Sequence, residues 1–289
     1  MEVRAMKTSK KYCIAICLAL IAGGCTVSHW IGSGQFMDEK GIAIHRAEDI
    51  VIAVPDRRLP DYETLTFNLK WVGIPVGSVT LTVNGIRNIN GRDAYLLEAR
   101  FKSNRFLSAI YNIDDRFVSY MDVEKLYTLR QEVYRKEGNY RKEAVTDFDQ
   151  VNHKAYFKNA VDKSEKVVDI PPAVQDTLSA CYYFLLLPLK IGDRIDFYVY
   201  NSEQTYQLIG VIEEKLFMRT PALGMKEAFR MQPYVKQGGK QVEKGTLVAY
   251  FSCDKRRIPL MGKLKGVIFT EAVFTLGKIT SSHRAVSAR

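Results

Sequence analysis

Two acidic-basic clusters and one serine-lysine spacing are where this 289-residue sequence could do covalent or acid-base chemistry. Asp114-Asp115-Arg116 and Asp254-Lys255-Arg256-Arg257 set carboxylates beside cations. A pair of carboxylates held roughly 5 to 9 Å apart can hydrolyse a glycosidic bond. Adjacent strand residues point to opposite faces, so only one of Asp114 and Asp115 can look into a cavity. The structural reading makes Asp115, Arg116, Asp254 and Arg257 a polar rim of turn caps and cross-strand ion pairs, and it is preferred here. Ser252-Cys253-Asp254-Lys255 has the spacing of a lysine-activated serine nucleophile. That chemistry needs the serine at the start of a buried helix, with Ser-Asp-Asn and Lys-Thr-Gly partners. Here the match ends an alternating strand, Lys244-Gly245-Thr246 has the wrong order and Ser-Asp-Asn is absent. The histidines are His29, His45, His153 and His283, too scattered to form one metal site. No Gly-x-Ser-x-Gly, phosphate-binding loop, dinucleotide fingerprint or cysteine-histidine ligand spacing occurs. No catalytic residue, metal or cofactor is assigned.

Cys25 offers a different chemistry, acylation. The N-terminus carries Arg4, Lys7, Lys10 and Lys11, then runs apolar for 11 residues from Tyr12 to Ala22, and breaks at Gly23-Gly24-Cys25. A basic start, a short apolar run and small residues at the break are a signal peptide, and the run is far short of the roughly 20 residues a spanning helix needs. Ala22-Gly23-Gly24-Cys25 resembles the lipobox of bacterial lipoproteins, with alanine where leucine is commonest. The resemblance implies that residues 1–24 are removed and that Cys25 is acylated and becomes the first mature residue. Plain secretion and an uncleaved anchor are the alternatives. Thr26, rather than aspartate, follows the lipidated residue, which by enterobacterial sorting rules implies the outer membrane rather than the inner.

Removing the signal, with four basic residues and one acid, lowers the formal charge from +10 to +7. A moderate basic excess spread among acids serves solubility and adds a weak pull toward anionic surfaces. Nucleic acid is excluded as a partner, because the chain is exported and no basic block is interleaved with stacking aromatics. Apolar residues at 47% suffice for a core, and charged residues at 26% suit a soluble surface. Cys181 and Cys253 are left after Cys13, Cys17 and Cys25 are accounted for. Two cysteines do not establish a disulfide, and Cys181 sits in an apolar helical run where a free thiol is common.

These groups must be held by strands. Residues 25–61 are weakly patterned and read as a lipidated tether. Leu65, Phe67, Leu69 and Trp71 then alternate with Thr66, Asn68 and Lys70, and the alternation resumes at Val79, Leu81 and Val83 after Gly73-Ile74-Pro75-Val76-Gly77. Similar runs recur over 94–101, 117–121, 131–134, 144–148, 154–157, 195–200, 205–212, 228–235, 247–251 and 267–276. Turn signals such as Asn90-Gly91, Glu137-Gly138-Asn139 and Gln237-Gly238-Gly239 separate them. About a dozen strands in a meander with one apolar face predict a mainly β, antiparallel body, closed or curled into a barrel over residues 62–280, with a tail at 281–289. One helix, Val174 to Leu187, is bracketed by Pro172 and Pro188. It is expected to plug the barrel mouth or pack beneath the sheet.

Three stretches resemble a bacterial envelope family known as domain of unknown function 3108. They are Trp71-Val72-Gly73-Ile74-Pro75-Val76-Gly77, Ile113-Asp114-Asp115-Arg116-Phe117-Val118-Ser119-Tyr120-Met121-Asp122, and Val248 to Pro259 through Phe251-Ser252-Cys253-Asp254. Gln175-Asp176-Thr177-Leu178-Ser179-Ala180 is similar to that family's single helix. Cys253 stands where an acidic or small residue is expected. The resemblance spans roughly residues 62 to 278 and implies an exported antiparallel β body without an established reaction.

The function expected from these readings is that of a lipid-anchored periplasmic lipoprotein, attached to the membrane through Cys25. It would bind or carry an apolar or lipid envelope ligand, or scaffold an envelope assembly through protein partners that the sequence does not name. A hydrolase acting on envelope glycans or lipids through barrel carboxylates is the alternative. Trp71, Tyr120, Tyr182 and Phe184 are the candidates to line an apolar cavity, with core packing as the simpler role for each.

Overall fold

The computed structural model describes residues 58–242, 245–266 and 271–281. The signal segment, Cys25, the tether up to residue 57 and the tail from residue 282 lie outside the described residues. The meander begins with β1 (Tyr62–Trp71), β2 (Ile74–Ile89) and β3 (Arg92–Ser103), followed by a single helical turn, α1 (Arg105–Ser108). It continues as β4 (Asp114–Asp122), β5 (Thr128–Glu137), β6 (Tyr140–Asp149), β7 (Lys154–Asn159) and β8 (Glu165–Asp169). A two-residue strand β9 (Gln175–Asp176) leads into α2 (Thr177–Leu186). Then come β10 (Arg194–Asn201), β11 (Gln204–Thr220), β12 (Gly224–Met231), β13 (Tyr234–Gln237), β14 (Lys240–Gln241), β15 (Thr246–Ser252), β16 (Pro259–Lys265) and β17 (Glu271–Ser281).

β1 lies at the middle of one 17-stranded sheet. On one side the ladder runs antiparallel through β2 to β8 in chain order. On the other it passes through β17, β16, β15, β12, β11 and β10, where β9 adds in parallel. β13 and β14 branch from the first half of β11. The period of two survives the fold: Leu65, Phe67 and Leu69 are buried while Asn68 and Lys70 are exposed. Phe67 lies opposite Val79 on one side and Leu276 on the other. Burying such side chains is worth about 1.5–3 kcal/mol each, which is why this register holds.

The ladder does not close on itself, so the body is a curled, barrel-like sheet rather than a sealed barrel. Side chains join its two flanks instead. The Phe148 ring of β6 meets Tyr200 of β10 edge-on at 5.1 Å between centroids. Lys142 of β6 and Lys166 of β8 both reach Glu203 at the β10–β11 turn. α2 packs inside the curl. Leu178, Tyr182 and Leu186 join the main core, while Phe184 and Leu185 join a second cluster around Phe229 and Phe251. Among the described residues no helix is long and apolar enough to cross a membrane.

Several strand bounds differ from the sequence reading, each for a physical reason. The run 228–235 is two strands, because Pro233 offers no N–H to a ladder and β12 ends at Met231 before β13 begins at Tyr234. β11 extends eight residues beyond Ile212 through a bulge beside Glu214. β8 and β16 add strands that the alternation did not mark. α2 begins at Thr177 rather than Val174, since Asp176 caps it from an extended conformation.

Candidate functional site

Ionisable groups converge at the seam. β10 and β11 are joined by a two-residue turn in which Ser202 and Glu203 both have positive φ, at 53° and 60°. Hairpins favour this geometry, but glycine or asparagine usually supplies it. Here the strained turn drives Glu203 against Lys142, at 3.4 Å, and against Lys166. Beneath it lies a cleft of about 320 Å³, part of it open solvent, lined by Gln131, Lys142, Thr146, Phe157, Tyr200 and Asn201 among others. The Tyr200 hydroxyl is buried there, facing Thr146. Burial raises its pKa. The enclosed part has room for about one or two water molecules, too little for a substrate. A single carboxylate clamped by two ammonium groups is neither a nucleophile-base pair nor a free general acid.

A second polar constellation pins α2. The Asp176 carboxylate, fully buried, accepts hydrogen bonds from the Leu178 amide at 2.7 Å, the Ser179 amide at 3.1 Å, the Thr128 hydroxyl at 3.1 Å and the Ser119 hydroxyl. The Asp176 amide donates to Thr128 Oγ1 at 2.7 Å and to Ser179 Oγ at 3.0 Å, which completes a capping box. Gln150 donates to the carbonyls of Thr128 and Val174, and Gln175 to that of Leu126. Desolvation raises the Asp176 pKa against the pull of these donors. α2 is thereby tied to β4 and β5.

The third group is a buried triad at the end where β4 starts and β5 finishes. Arg135 donates to Glu137 through Nε at 2.7 Å, and its Nε lies 3.6 Å from Asp115 Oδ2. The Lys136 amide donates to Asp115 Oδ1 at 2.9 Å, whereas Oδ2 has no hydrogen-bond partner. One guanidinium cannot balance two buried carboxylates. Burial and then the neighbouring Glu137 charge push Asp115 up to about 7, well above the ordinary carboxylate range.

The sequence matches the profile of the family described as protein of unknown function DUF3108 over residues 66–267. The chain belongs to the DUF3108 family. No functionally curated protein matches it. Among solved structures it is similar to a β-barrel-like protein of domain of unknown function DUF1849 from Brucella abortus. The identity is 8%, the TM-score 0.53, and the coverage 78% of this chain and 100% of that one. A protein from Bacteroides fragilis described as exported, with a YmcC-like fold, gives 10% identity and a TM-score of 0.32 over 79% of this chain and 100% of its own. One from Parabacteroides distasonis described as a lipoprotein gives 8% and 0.30 over 76% and 97%. At these identities the first likeness speaks to fold alone.

The DUF3108 stretches now have physical content. Gly73 completes the β1–β2 turn at φ 78°, and Gly77 is needed because a Cβ there would collide with the Lys102 carbonyl oxygen. The Ile113–Asp122 stretch holds Ser119, and the Gln175–Ala180 stretch holds the Asp176 that Ser119 bonds, so two stretches distant in sequence meet.

The candidate residues named from sequence are dispersed through the DUF3108 body. Trp71 packs against the main core and is partly exposed, its indole N–H buried without a partner. Tyr182 is core, and Phe184 stacks edge-on against Phe251 at 4.6 Å. Tyr120 is on the opposite face of β4 from Phe117, Ser119 and Met121, beside Arg130 of β5, so it does not face the interior. Asp115 faces in and its neighbours face out. Asp114 pairs with Arg100, and Arg116 pairs with Glu98 at 2.8 Å and covers the Tyr134 ring. Asp254 is a turn cap, accepting from the Ser252 hydroxyl and the Arg256 amide, and Arg257 is buried beside it with φ 44°. Ser252 is thus occupied by a turn. Cys181 and Cys253 are unpaired, and both thiols are pushed up to about 11 by desolvation, Cys181 despite keeping accessible surface on α2. His153 occupies a turn at φ 56°. Among the described residues no group of three or more His, Cys, Asp or Glu is placed to hold a metal. Glu203, Lys142, Arg135 and Asp176 were missed. Only Asp176 had a local signal, the capping spacing to Ser179.

Proposed function

We propose that this DUF3108 chain is a non-catalytic scaffold of the bacterial cell envelope, tethered to a membrane through acylated Cys25. Its periplasmic β body serves as a rigid support rather than as a container that opens. The outer membrane is the proposed location, on the strength of Thr26 following the lipidated cysteine.

The observation carrying this reading is the anchorage of α2. A carrier needs a movable element, and α2 is the strongly apolar element outside the strand pattern. Moving it would strip a buried carboxylate of two of its four donors, the Ser119 and Thr128 hydroxyls, and leave those hydroxyls unsatisfied. Each such loss costs about 1–3 kcal/mol, more for the charge. The hydrolase reading has less support. The inward carboxylates Asp115 and Glu137 are buried and engaged with Arg135 instead of flanking a cleft.

Native-state hydrogen exchange tests the proposal. A scaffold strut exchanges its amides only on global unfolding, whereas a lid opens locally at low cost. Amides of residues 181–186 are expected to rank with those of β1 and to lose that protection in Asp176→Ala, which should cost about 2–4 kcal/mol through the lost cap and stranded hydroxyls. Exchange of α2 well ahead of β1, with saturable binding of an uncharged hydrophobic probe, would return the carrier reading to first place.

A further inference from the structure

At one end of the body the β1–β2 turn, the β3–β4 connection and the β5–β6 turn lie side by side. The Asn104 amide donates to the Val76 carbonyl at 2.9 Å and its side chain donates to the Pro75 carbonyl at 2.8 Å, which fixes α1 against the first turn. The Gly138 amide donates to the Asn112 carbonyl, and Tyr111 reaches the Glu137 carbonyl, which joins the third. This tip exposes large apolar side chains: Val72 at 55%, Ile74 at 52%, Phe106 at 62% and Ile110 at 72%, with Tyr140 beyond them. Val72 is a β-branched residue at φ 48°, a conformation that such side chains rarely adopt. An asparagine would relax the turn, so the apolar group is retained at the expense of backbone strain.

Lys70, Lys102, Arg105 and Lys136 are exposed around these side chains. The nearby acids are mostly engaged: Asp114 is held by Arg100 through two hydrogen bonds, and Asp115 and Glu137 are buried with Arg135. Among the described residues beside the first turn, Glu271 is a half-buried acid outside these pairs. The opposite end makes the contrast. Phe217 and Met225 are also exposed on the β11–β12 hairpin, but there Glu213, Glu214 and Glu227 mingle with Lys215, Arg219 and Lys226. Apolar side chains that can enter the acyl boundary, ringed by cations, fit an anionic lipid surface.

We propose that this tip docks on an anionic lipid bilayer, with Val72, Ile74, Phe106 and Ile110 entering the interface and the surrounding lysines and arginine contacting headgroup phosphates. The inference deepens the scaffold reading, resting on it only for the chain's working at a membrane, and it supplies an orientation that attachment through Cys25 alone would leave open.

The test uses the chain from Thr26 to its end, unacylated, with vesicles of phosphatidylethanolamine and phosphatidylglycerol. Saturable binding is expected, weakened at least about fivefold for each of Lys102→Glu and Arg105→Glu, and weakened further with rising salt. Phe106→Asp with Ile110→Asp should reduce it at least about tenfold, and Val72→Asn should reduce it while keeping or raising the urea midpoint. Phe217→Asp, at the far end, should leave binding unchanged. No vesicle binding by the wild type, equal binding to pure phosphatidylcholine, or an undiminished Phe106→Asp/Ile110→Asp variant would overturn the proposal. So would a concentration-dependent dimer abolished by that variant, which would assign the tip to a second copy. None of these outcomes alters the exchange behaviour of α2, so the two readings fail separately.

Discussion

The wall of the curl built from β1, β2, β3 and β17 turns inward side chains such as Leu65, Phe67, Val79, Leu97 and Leu276. The wall built from β4, β5 and β6 follows the same alternation yet turns Asp115, Ser119, Gln131, Arg135, Lys142 and Thr146 inward among its apolar groups. One period thus serves two ends. The apolar wall contributes burial, which is non-directional and tolerates small displacements. The polar wall contributes pairing that demands geometry, and that is where α2 and the β10–β11 hairpin must be seated: Ser119 and Thr128 hold Asp176, and Lys142 holds Glu203. The apolar wall makes the body stable, and the polar wall determines how it closes.

If that division is right, the largest effect belongs to a charge placed in the apolar wall. Leu69→Asp is expected to cost about 4 kcal/mol or more, combining a lost core side chain with a buried carboxylate. Asn68→Asp, one residue away on the exposed face, should change stability by about 0.5 kcal/mol at most. Equal shifts of the urea midpoint would mean that the wall is not what holds the fold.

Next in size is the buried triad. Arg135→Met leaves Asp115 and Glu137 facing each other without a cation and should cost about 3–5 kcal/mol, whereas adding Asp115→Asn and Glu137→Gln to it should restore most of the loss. A single mutant within about 1 kcal/mol of wild type would show that the polar wall contributes no more than its area. The comparison would then collapse to one uniform core.

The two walls were unequally legible in the sequence. The apolar wall announces itself, because Leu65 to Trp71 alternate without a break, and Asn90-Gly91 supplies the positive φ angles, 50° and 83°, that its hairpin turn requires. Its far side was harder: β16 begins at Pro259 and carries Gly262 and Lys263, and only its pairing with β15 and β17 makes it a strand. In the polar wall, alternation fixed that one of Asp114 and Asp115 faces in, but which one depends on register against Arg135. The Lys142–Glu203 contact joins positions 61 residues apart. No local pattern encodes that. The Asp176–Ser179 capping spacing was readable, and it locates the start of α2 better than the proline bracket does.

The finest comparison comes from Asp114 and Asp115, neighbours on one strand whose pH behaviour should have opposite sign. Asp115 faces in, where desolvation and Glu137 raise its pKa from 3.8 to about 7. Between those limits the folded chain holds a proton that the unfolded chain has released. Stability therefore falls as pH rises through that window, by at most about 1.4 kcal/mol per pH unit. Asp115→Asn, which imitates the protonated acid, should flatten the slope and be the more stable form at the alkaline end. Asp114 faces out, where its hydrogen bonds with Arg100 hold its pKa below the ordinary carboxylate value. Its contribution is present above that value and lost as pH falls through the depressed one. Because the pair is solvent-exposed it is worth only about 0.2–1 kcal/mol, and Asp114→Asn should lose that small amount near neutrality and nothing in acid. Urea titrations of both variants across this range would decide the matter. Slopes of the same sign would mean that both carboxylates sense one environment, and that β4 does not separate an inner wall from an outer face.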